Sequence, residues 1–184
     1  MKIGIIGGSG LDNPKLLNDY RELPVDTPYG NPSSLITSGK INNVEVCILS
    51  RHGKKHEITP TCVNNQANIY ALKKLGCTHI IATTAVGSLK EEIAPGDFVI
   101  LDQFIDLTRH RKITFYENFE QGVQHTSLAD PFSEFLRERT IDSCKELGIK
   151  HHETGTVITI EGPRFSTRAE SKLFRLWGAD VINM

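Results

Sequence analysis

Three short loops carry the residues of this chain best suited to chemistry: Gly7-Gly8-Ser9-Gly10, Ser50-Arg51-His52-Gly53 and Thr83-Thr84-Ala85-Val86-Gly87-Ser88. The first offers backbone N–H groups and a hydroxyl, the second a guanidinium and an imidazole, and the third further hydroxyls and a glycine. All of these groups bind phosphate oxygens well. Nothing in the loops resembles a protein nucleophile, so an anion held there would itself be the attacking group.

The glycine loop leaves several interpretations open. A dinucleotide-binding G-x-G-x-x-G pattern that starts at Gly8 needs a glycine where Asn13 stands. The nucleophile elbow of hydrolases, G-x-S-x-G, needs a glycine where Leu11 stands. An anion-binding turn and a plain tight turn both remain, and Thr83-Thr84 also has a plain interpretation as the end of a strand.

The elements that must position these loops are indicated by apolar runs and helical spacing. Strands are predicted over 2–6, 34–37, 44–49, 79–82, 98–101, 155–160 and 180–183, with a hairpin between the second and third. Helices are predicted over 65–75, 131–147 and 168–177. Alternating strands and helices favour an α/β sandwich with a mostly parallel or mixed sheet, whose strand ends are the usual place for ligands.

Length and composition favour a single domain over residues 1–184. With 39% hydrophobic residues, 23% charged residues and a net charge of -1, the chain has no basic field that would attract nucleic acid or an anionic membrane. The apolar N-terminal run is too short for a secretion signal, and no segment approaches membrane-spanning length, so we expect a cytoplasmic protein. Cys47, Cys62, Cys77 and Cys144 are widely spaced, which predicts neither a metal site nor a disulfide.

Residues 103–130 show little periodicity. They combine a basic run, Arg109-His110-Arg111-Lys112, with Phe115, Tyr116 and Phe119. A loop of this length is usually functional or packed against a partner. We interpret the basic run itself as a solvated surface patch.

The stretch from Glu161 to Ser171 joins a predicted strand to a predicted helix. Gly162-Pro163 favours a fixed turn, and Thr167 with Glu170 predicts a capping box. Phe165 projects from this loop and is suited to cover a sugar or a base. The chain ends in Ile182-Asn183-Met184, whose two apolar side chains are interpreted either as core or as a pocket wall.

Five short sequence motifs, taken together, resemble those of the S-methyl-5'-thioadenosine phosphorylases, a branch of the trimeric purine nucleoside phosphorylase superfamily. They are Ile5-Ile6-Gly7-Gly8-Ser9-Gly10, Arg51-His52-Gly53, Thr83-Thr84-Ala85-Val86-Gly87-Ser88-Leu89, Gly162-Pro163-Arg164-Phe165-Ser166 and Trp177-Gly178-Ala179-Asp180-Val181-Ile182-Asn183-Met184. The similarity runs from end to end, although Val86 stands where many relatives have cysteine. It implies a phosphorylase-type, three-layer αβα sandwich with a central mixed sheet.

The resemblance also implies site residues. Phosphate would be bound by Ser9, Arg51, His52, Thr84 and Ala85, and within this set Arg51 and His52 would be the catalytic pair that positions the dianion. The nucleoside would be bound by Phe165, Ser166, Ile182 and Met184, with His125 reaching in from a neighbouring subunit.

The implied activity is that of a pentosyltransferase in purine and methionine salvage. S-methyl-5'-thioadenosine would be split by inorganic phosphate into adenine and 5-methylthioribose 1-phosphate, without a cofactor. A related purine nucleoside or methylthioinosine phosphorylase and a noncatalytic phosphate- or nucleoside-binding module remain as alternatives, and a dinucleotide-dependent oxidoreductase is a weaker one. The expected partners are the nucleoside, phosphate and further copies of the chain in a homotrimer or hexamer.

Relatives of this kind continue beyond the residue that matches Met184. Their additional part supplies another phosphate-binding threonine and the aspartates that hold and protonate the purine. We therefore expect a chain truncated at its C-terminal end, with impaired turnover because general acid catalysis would be lost.

Overall fold

The structure is a computed structural model that describes residues 1–8, 11, 14–118, 120 and 122–184. The chain forms two compact units, one of Met1–Ala85 with His110–Glu117 and the other of Val86–Arg109 with Asn118–Met184. Strands and helices alternate in the described residues, which confirms the α/β class. The single domain over residues 1–184 stays a prediction.

The regular structure described in the first unit is a sheet with one α-helix. Its elements are β1 (Lys2–Gly7), β2 (Asn18–Leu23), β3 (Ile36–Ile41), β4 (Val44–Ser50), α1 (Asn65–Lys74) and β5 (His79–Ala82), with 3-10 turns at Pro14–Leu16 and Pro60–Cys62. The sheet order is β2-β3-β4-β1-β5, in which β4, β1 and β5 are parallel. Because β3 pairs antiparallel with β4, the predicted hairpin is confirmed.

The core of the first unit lies between this sheet and α1. Its buried cluster consists of Ile36, Cys47, Leu49, Ala71 and Leu72. A Cβ on Gly4 of β1 would lie 3.0 Å from Leu72 Cδ1, so the missing side chain lets α1 pack closely on the sheet. This packing fixes the strands whose ends carry the phosphate-binding candidates.

The second unit contains the remaining described elements. They are β6 (Gly87–Ser88), β7 (Phe98–Val99), β8 (Gln103–Asp106), α2 (Glu134–Glu146), β9 (His151–His152), β10 (Thr156–Thr159), α3 (Arg168–Leu176) and β11 (Val181–Asn183). One sheet has the order β6-β11-β10-β8, and β7 pairs separately with β9. In the four-stranded sheet β8, β10 and β11 are parallel and β6 is antiparallel, so the pairing is mixed.

The helix α3 closes the core of the second unit. Thr167 and Glu170 form the predicted capping box at its N-terminus, and Phe174 on its inner face is 2% exposed. Phe174 packs with Leu89, Ile158, Ile160 and Ala179. This cluster supports the strand ends on which the nucleoside-binding candidates lie.

Candidate functional site

The carboxyl ends of β1, β4 and β5 lie side by side in the first unit. Gly7 pairs with Ser50, and Ile6 pairs with Ala82. Just beyond these pairs, Arg51 N donates to Gly7 O at 3.0 Å and Thr83 N donates to Ile6 O at 3.1 Å. The loops predicted to share a phosphate site therefore begin at one edge of one sheet. We call the part formed by Gly8, Arg51, His52 and residues 83–85 the anion edge.

The side chain of Arg51 spans the anion edge. Its Nη1 donates to the carbonyl oxygen of Thr83 at 2.9 Å. Its Nη2 lies 3.2 Å from the place that a Cβ on Gly8 would occupy, so any side chain there would touch the guanidinium. Burial lowers the pKa of Arg51, and the positive charge of Arg111 lowers it further. A guanidinium still stays protonated at neutral pH, so the edge holds a partly buried positive charge.

His52 is oriented by a backbone carbonyl. Its Nδ1 lies 2.9 Å from Ile58 O, which can only accept, so Nδ1 carries the proton of the neutral ring. Nε2 lies 3.4 Å from Arg51 Nε and is left as an acceptor. An imidazole in this state can donate from Nε2 to an anion only after it takes up a second proton.

The environment of His52 opposes that second proton. Burial lowers the pKa of His52, and the positive charges of Arg51, His56 and Arg111 act in the same direction, although the hydrogen bond to Ile58 partly offsets them. The His56 ring lies close by, with its centroid 4.7 Å from that of His52. A bound anion would instead favour protonation of His52, because its negative charge stabilises the imidazolium.

Thr84 and Ala85 follow Thr83 at the end of β5, and both are exposed. The Thr84 hydroxyl donates to Ala85 O at 3.1 Å, which holds it over the backbone of its own loop. The structure thus brings Arg51, His52 and these two residues to the same sheet edge. Ser9 lies outside the described residues. The phosphate-binding roles stay predictions.

Residues His110–Glu117 add a further segment to the first unit. Gln66 Nε2 donates to Thr114 O at 2.5 Å, and the rings of Tyr29 and Phe115 meet edge to face at 5.3 Å. These two contacts fasten the segment to α1 and to the loop after β2.

Arg111 lies in that segment, in the basic run that the sequence analysis interprets as a solvated patch, and the other residues of this run are exposed. The residue is half-buried, and its charge acts on both Arg51 and His52. A usable signal was present, because aromatic residues such as Phe115 close to a basic run indicate packing rather than a solvated face.

In the second unit, Ile182 and Met184 lie at the end of β11. Both are half-buried and pack against the cluster that contains Phe174. A Cβ on Gly162 would lie only 2.7 Å from Met184 Sδ, so the 161–167 loop touches the end of this strand. Because one side of each residue packs on the core and part of it stays exposed, the core and pocket-wall interpretations are compatible.

The 161–167 loop is held by side-chain pairing. Arg164 donates to both carboxylate oxygens of Glu170, each at 2.8 Å, and lowers the pKa of that carboxyl to about 2. Ser166 Oγ lies 2.8 Å from Ser171 Oγ, which ties the loop to α3. Phe165 is 87% exposed on this fixed loop. The geometry thus presents an aromatic ring to solvent beside Ser166, and the substrate-binding roles of both stay predictions.

His125 is exposed, and it lies between β8 and α2 outside any strand or helix. Its expected role depends on a neighbouring subunit and stays a prediction. Among the residues that the structure describes, no three His, Cys, Asp or Glu side chains are grouped so as to hold a metal ion. None of the helices in the described ranges is both long and apolar enough to cross a membrane.

Comparison with known proteins defines the class. A protein-family model described as the phosphorylase superfamily matches residues 2–184. The S-methyl-5'-thioadenosine phosphorylase of Xenopus tropicalis is 59% identical over 188 residues, which cover 100% of this chain and 67% of that protein. The enzyme of the same name from Thermofilum pendens is 56% identical over 184 residues, covering 100% of this chain and 70% of that protein. The chain therefore belongs to the phosphorylase superfamily and, within it, to the S-methyl-5'-thioadenosine phosphorylase family.

Solved structures agree with this assignment. Methylthioadenosine phosphorylase from Schistosoma mansoni in its apo form superposes with a TM-score of 0.94 at 42% identity, over 100% of this chain and 72% of that one. The complex of the same enzyme with adenine gives the same TM-score and identity, over 73% of its chain. The predicted family and the predicted phosphorylase-type α/β fold are thus confirmed. The chain spans about two thirds of the length of the first two vertebrate relatives, 67% in each case.

Proposed function

We propose that this chain catalyses the phosphorolysis of S-methyl-5'-thioadenosine. Inorganic phosphate attacks the anomeric carbon of the ribose, the bond from that carbon to the adenine nitrogen breaks, and a bond to a phosphate oxygen forms. The products are adenine, which takes up the proton that the hydrogen phosphate gives up, and 5-methylthioribose 1-phosphate. Family membership and the anion edge support this proposal.

The placement of Arg51 carries the proposal. Its guanidinium lies across the ends of three parallel strands, and one donor is already fixed on Thr83 O at 2.9 Å. The donors that neither Thr83 nor His52 engages are therefore pre-oriented for an anion, which avoids most of the entropy loss of positioning the nucleophile. A dianion held there also stabilises positive charge that develops on the ribose during bond cleavage. Phosphate then supplies the nucleophile that the protein lacks.

The other predicted residues complete this assignment. Ser9, Thr84 and Ala85 are proposed to bind phosphate oxygens together with His52. Phe165 is proposed to cover the nucleoside beside Ser166, with Ile182 and Met184 as the apolar wall that suits a methylthio group. We further propose that no cofactor takes part, and that the enzyme acts in the cytoplasm in purine and methionine salvage.

His125 is proposed to reach the substrate of a neighbouring subunit in a homotrimer or hexamer. Its exposed position fits a contact made outside its own subunit. Light scattering coupled to size-exclusion chromatography measures the assembly directly. A monomer at micromolar concentration would contradict both the assembly and the role of His125.

Adenine release from S-methyl-5'-thioadenosine tests the proposed reaction. The full chain is assayed with and without inorganic phosphate, beside Arg51→Ala and, as a matched control, Arg139→Ala on the exposed face of α2. We expect release to require phosphate and Arg51→Ala to lower kcat/KM for phosphate about hundredfold, the size of two charge-assisted hydrogen bonds. The control should match the wild-type chain.

Three results would contradict parts of the proposal. Equal activity of Arg51→Ala would exclude the assigned role of Arg51. Calorimetric binding of phosphate with no adenine release would indicate the noncatalytic module. Faster cleavage of inosine or methylthioinosine than of S-methyl-5'-thioadenosine would indicate the related purine nucleoside phosphorylases.

A further inference from the structure

His56 has no part in the function proposed above, yet the loop that follows His52 brings its ring back to His52. Ile58 closes this loop twice, because its N donates to His52 O at 2.9 Å and its O lies 2.9 Å from His52 Nδ1. Within the loop, His56 N donates to Gly53 O at 3.2 Å, which forms a tight turn. Residues 53–57 are thus folded back onto His52.

The rings of His52 and His56 are in contact. Their centroids lie 4.7 Å apart, and their planes are inclined by 35°. This separation is within the range in which aromatic rings attract each other. His56 is exposed and His52 is half-buried, so the outer ring lies against a face of the inner one.

The backbone of His56 shows that this contact is maintained against a cost. Its φ of 56° lies in the left-handed region, which is unfavourable for most side chains and persists where surrounding contacts stabilise it. Glycine adopts this conformation without strain and would serve a plain turn better. The choice of histidine at this position therefore indicates a use for its ring.

The contact with His56 supplies something that His52 requires. The last torsion of a histidine side chain has a broad energy well, so the ring is not fixed by its own bonds. The hydrogen bond to Ile58 O holds one ring atom and leaves the ring free to tilt about it. A second ring against its face removes that freedom, and Nε2 is then kept beside Arg51, 3.4 Å from Arg51 Nε.

We propose that His56 is a positioning residue for His52: its ring fixes the plane of the His52 imidazole and thereby keeps Nε2 where inorganic phosphate binds. The inference rests on the proposed function, which makes phosphate the ligand of the anion edge. His56 acts through His52 and not by its own contact with phosphate. Loss of its ring should therefore weaken phosphate binding and leave nucleoside binding unchanged.

The charge of His56 is a separate effect that the experiment must keep out. When protonated, His56 lowers the pKa of His52, as the positive charges of Arg51 and Arg111 also do. The measurements are therefore made at about pH 8, where an ordinary imidazole is neutral. Differences between variants then report the ring contact.

The first test is the dissociation constant of inorganic phosphate, measured by calorimetry on the full chain. His56→Asn removes the ring and keeps a residue that tolerates the left-handed conformation, and Lys55→Asn places the same side chain at the adjacent exposed position. We expect about fivefold weaker phosphate binding for His56→Asn, the size of one ring contact, and no change for Lys55→Asn. The affinity for S-methyl-5'-thioadenosine should be the same in all three chains. Wild-type phosphate affinity in a folded His56→Asn would overturn the proposal.

Two further variants make this result decisive. His56→Phe keeps an aromatic ring and loses the imidazole nitrogens, so a folded His56→Phe should bind phosphate about as well as the wild-type chain. If it instead lost as much affinity as His56→Asn, positioning by the ring would be rejected. Should His56→Asn lack a cooperative melting transition, His56→Gly takes its place in the test, because glycine accepts this backbone conformation.

The second test needs no phosphate. The tautomer of the neutral His52 ring is measured by nitrogen-15 NMR at about pH 8 and assigned with His52→Gln. In the wild-type chain the proton should lie on Nδ1, since that atom faces Ile58 O. A ring that is free to tilt loses this hydrogen bond, so His56→Asn should show a larger share of the Nε2–H form and Lys55→Asn should not.

The two tests separate this inference from the proposed function. A wild-type chain that binds no phosphate would contradict the function, whereas the His52 tautomer would still report on His56. Unchanged tautomer populations in folded His56→Asn would reject the positioning role, even if the wild-type chain releases adenine.

Discussion

The anion edge of the first unit and the 161–167 loop of the second unit differ in the burial of their side chains and in the role of their charges. At the anion edge, cationic groups from separate segments are half-buried and backbone hydrogen bonds fix the strand ends beneath them. In the 161–167 loop, an aromatic ring is 87% exposed on a turn that opposite charges hold in place. Recognition of a charged ligand requires partly desolvated donors, whereas stacking on a flat ligand requires only a fixed apolar surface.

The charges of the two regions also act in opposite ways. Burial and neighbouring positive charge lower the pKa of Arg51 and of His52, which leaves the anion edge ready for an anion. Arg164 and Glu170 stabilise each other's charged forms, which stabilises the loop itself. Variants of the first region should therefore change ligand affinity, and variants of the second should change how the 161–167 loop presents Phe165.

The largest expected effect is that of Arg51→Lys on phosphate. A lysine cannot keep the bond to Thr83 O and also offer two parallel donors, so the KM for phosphate should rise about hundredfold with little change in the KM for nucleoside. Steady-state adenine release at varied phosphate measures this. Arg139→Lys on α2 serves as the control, and an equal rise in both KM values would remove the distinction between the two regions.

Phe165→Ala should show the reverse pattern. Loss of a stacked ring should raise the KM for nucleoside about tenfold and leave the KM for phosphate unchanged. Because Phe165 is 87% exposed, the melting temperature should not fall. Phe98→Ala, which removes another exposed ring of the second unit, should change neither constant. A drop in melting temperature for Phe165→Ala would mean that the ring packs on the protein and not on the ligand.

The sequence predicts the elements that an apolar run or helical spacing marks and misses those that lack such a pattern. The runs at 44–49 and 79–82 and the helical spacing at 65–75 correspond to β4, β5 and α1 with shifts of a residue or less at each end. β2 was not predicted because five of its six residues are exposed, so no apolar run marks it. β8 was not predicted because half-buried and exposed residues alternate over only four positions within a stretch interpreted as a loop.

The residues of the candidate site likewise fall into those that could be predicted from the sequence and those that could not. Arg51 and Thr83 could be placed together because each directly follows an apolar strand, and parallel strands end at one edge. Arg111 could not, since its neighbours in space are set by the contacts of Thr114 and Phe115 and not by any strand. The close approach of Gly162 to Met184 is likewise a tertiary contact between segments that no local pattern connects.

Two glycine substitutions, one in each region, should have smaller effects on the KM values. In Gly162→Ala the new methyl lies 2.7 Å from Met184 Sδ, so the flexible Met184 side chain must move and the KM for nucleoside should rise several-fold. In Gly8→Ala the methyl lies 3.2 Å from Arg51 Nη2, and the KM for phosphate should rise instead. Adenine release at varied concentrations of each substrate separates the two. A swap of these effects would contradict the assignment of one region to each substrate.

The smallest expected effect concerns the stability of the 161–167 loop in acid. Because Arg164 lowers the pKa of Glu170 in the folded protein to about 2, the unfolded chain takes up this proton first. The stabilisation is therefore complete above the ordinary glutamate range near 4.5 and is lost as the pH falls toward 2. Melting temperatures between pH 5 and pH 3 should fall less steeply in Glu170→Gln than in the wild-type chain, whereas Glu138→Gln on α2 should follow the wild-type curve. If Glu170→Gln followed that curve too, the Arg164 pair would not hold the loop, and the rigid presentation of Phe165 would need another cause.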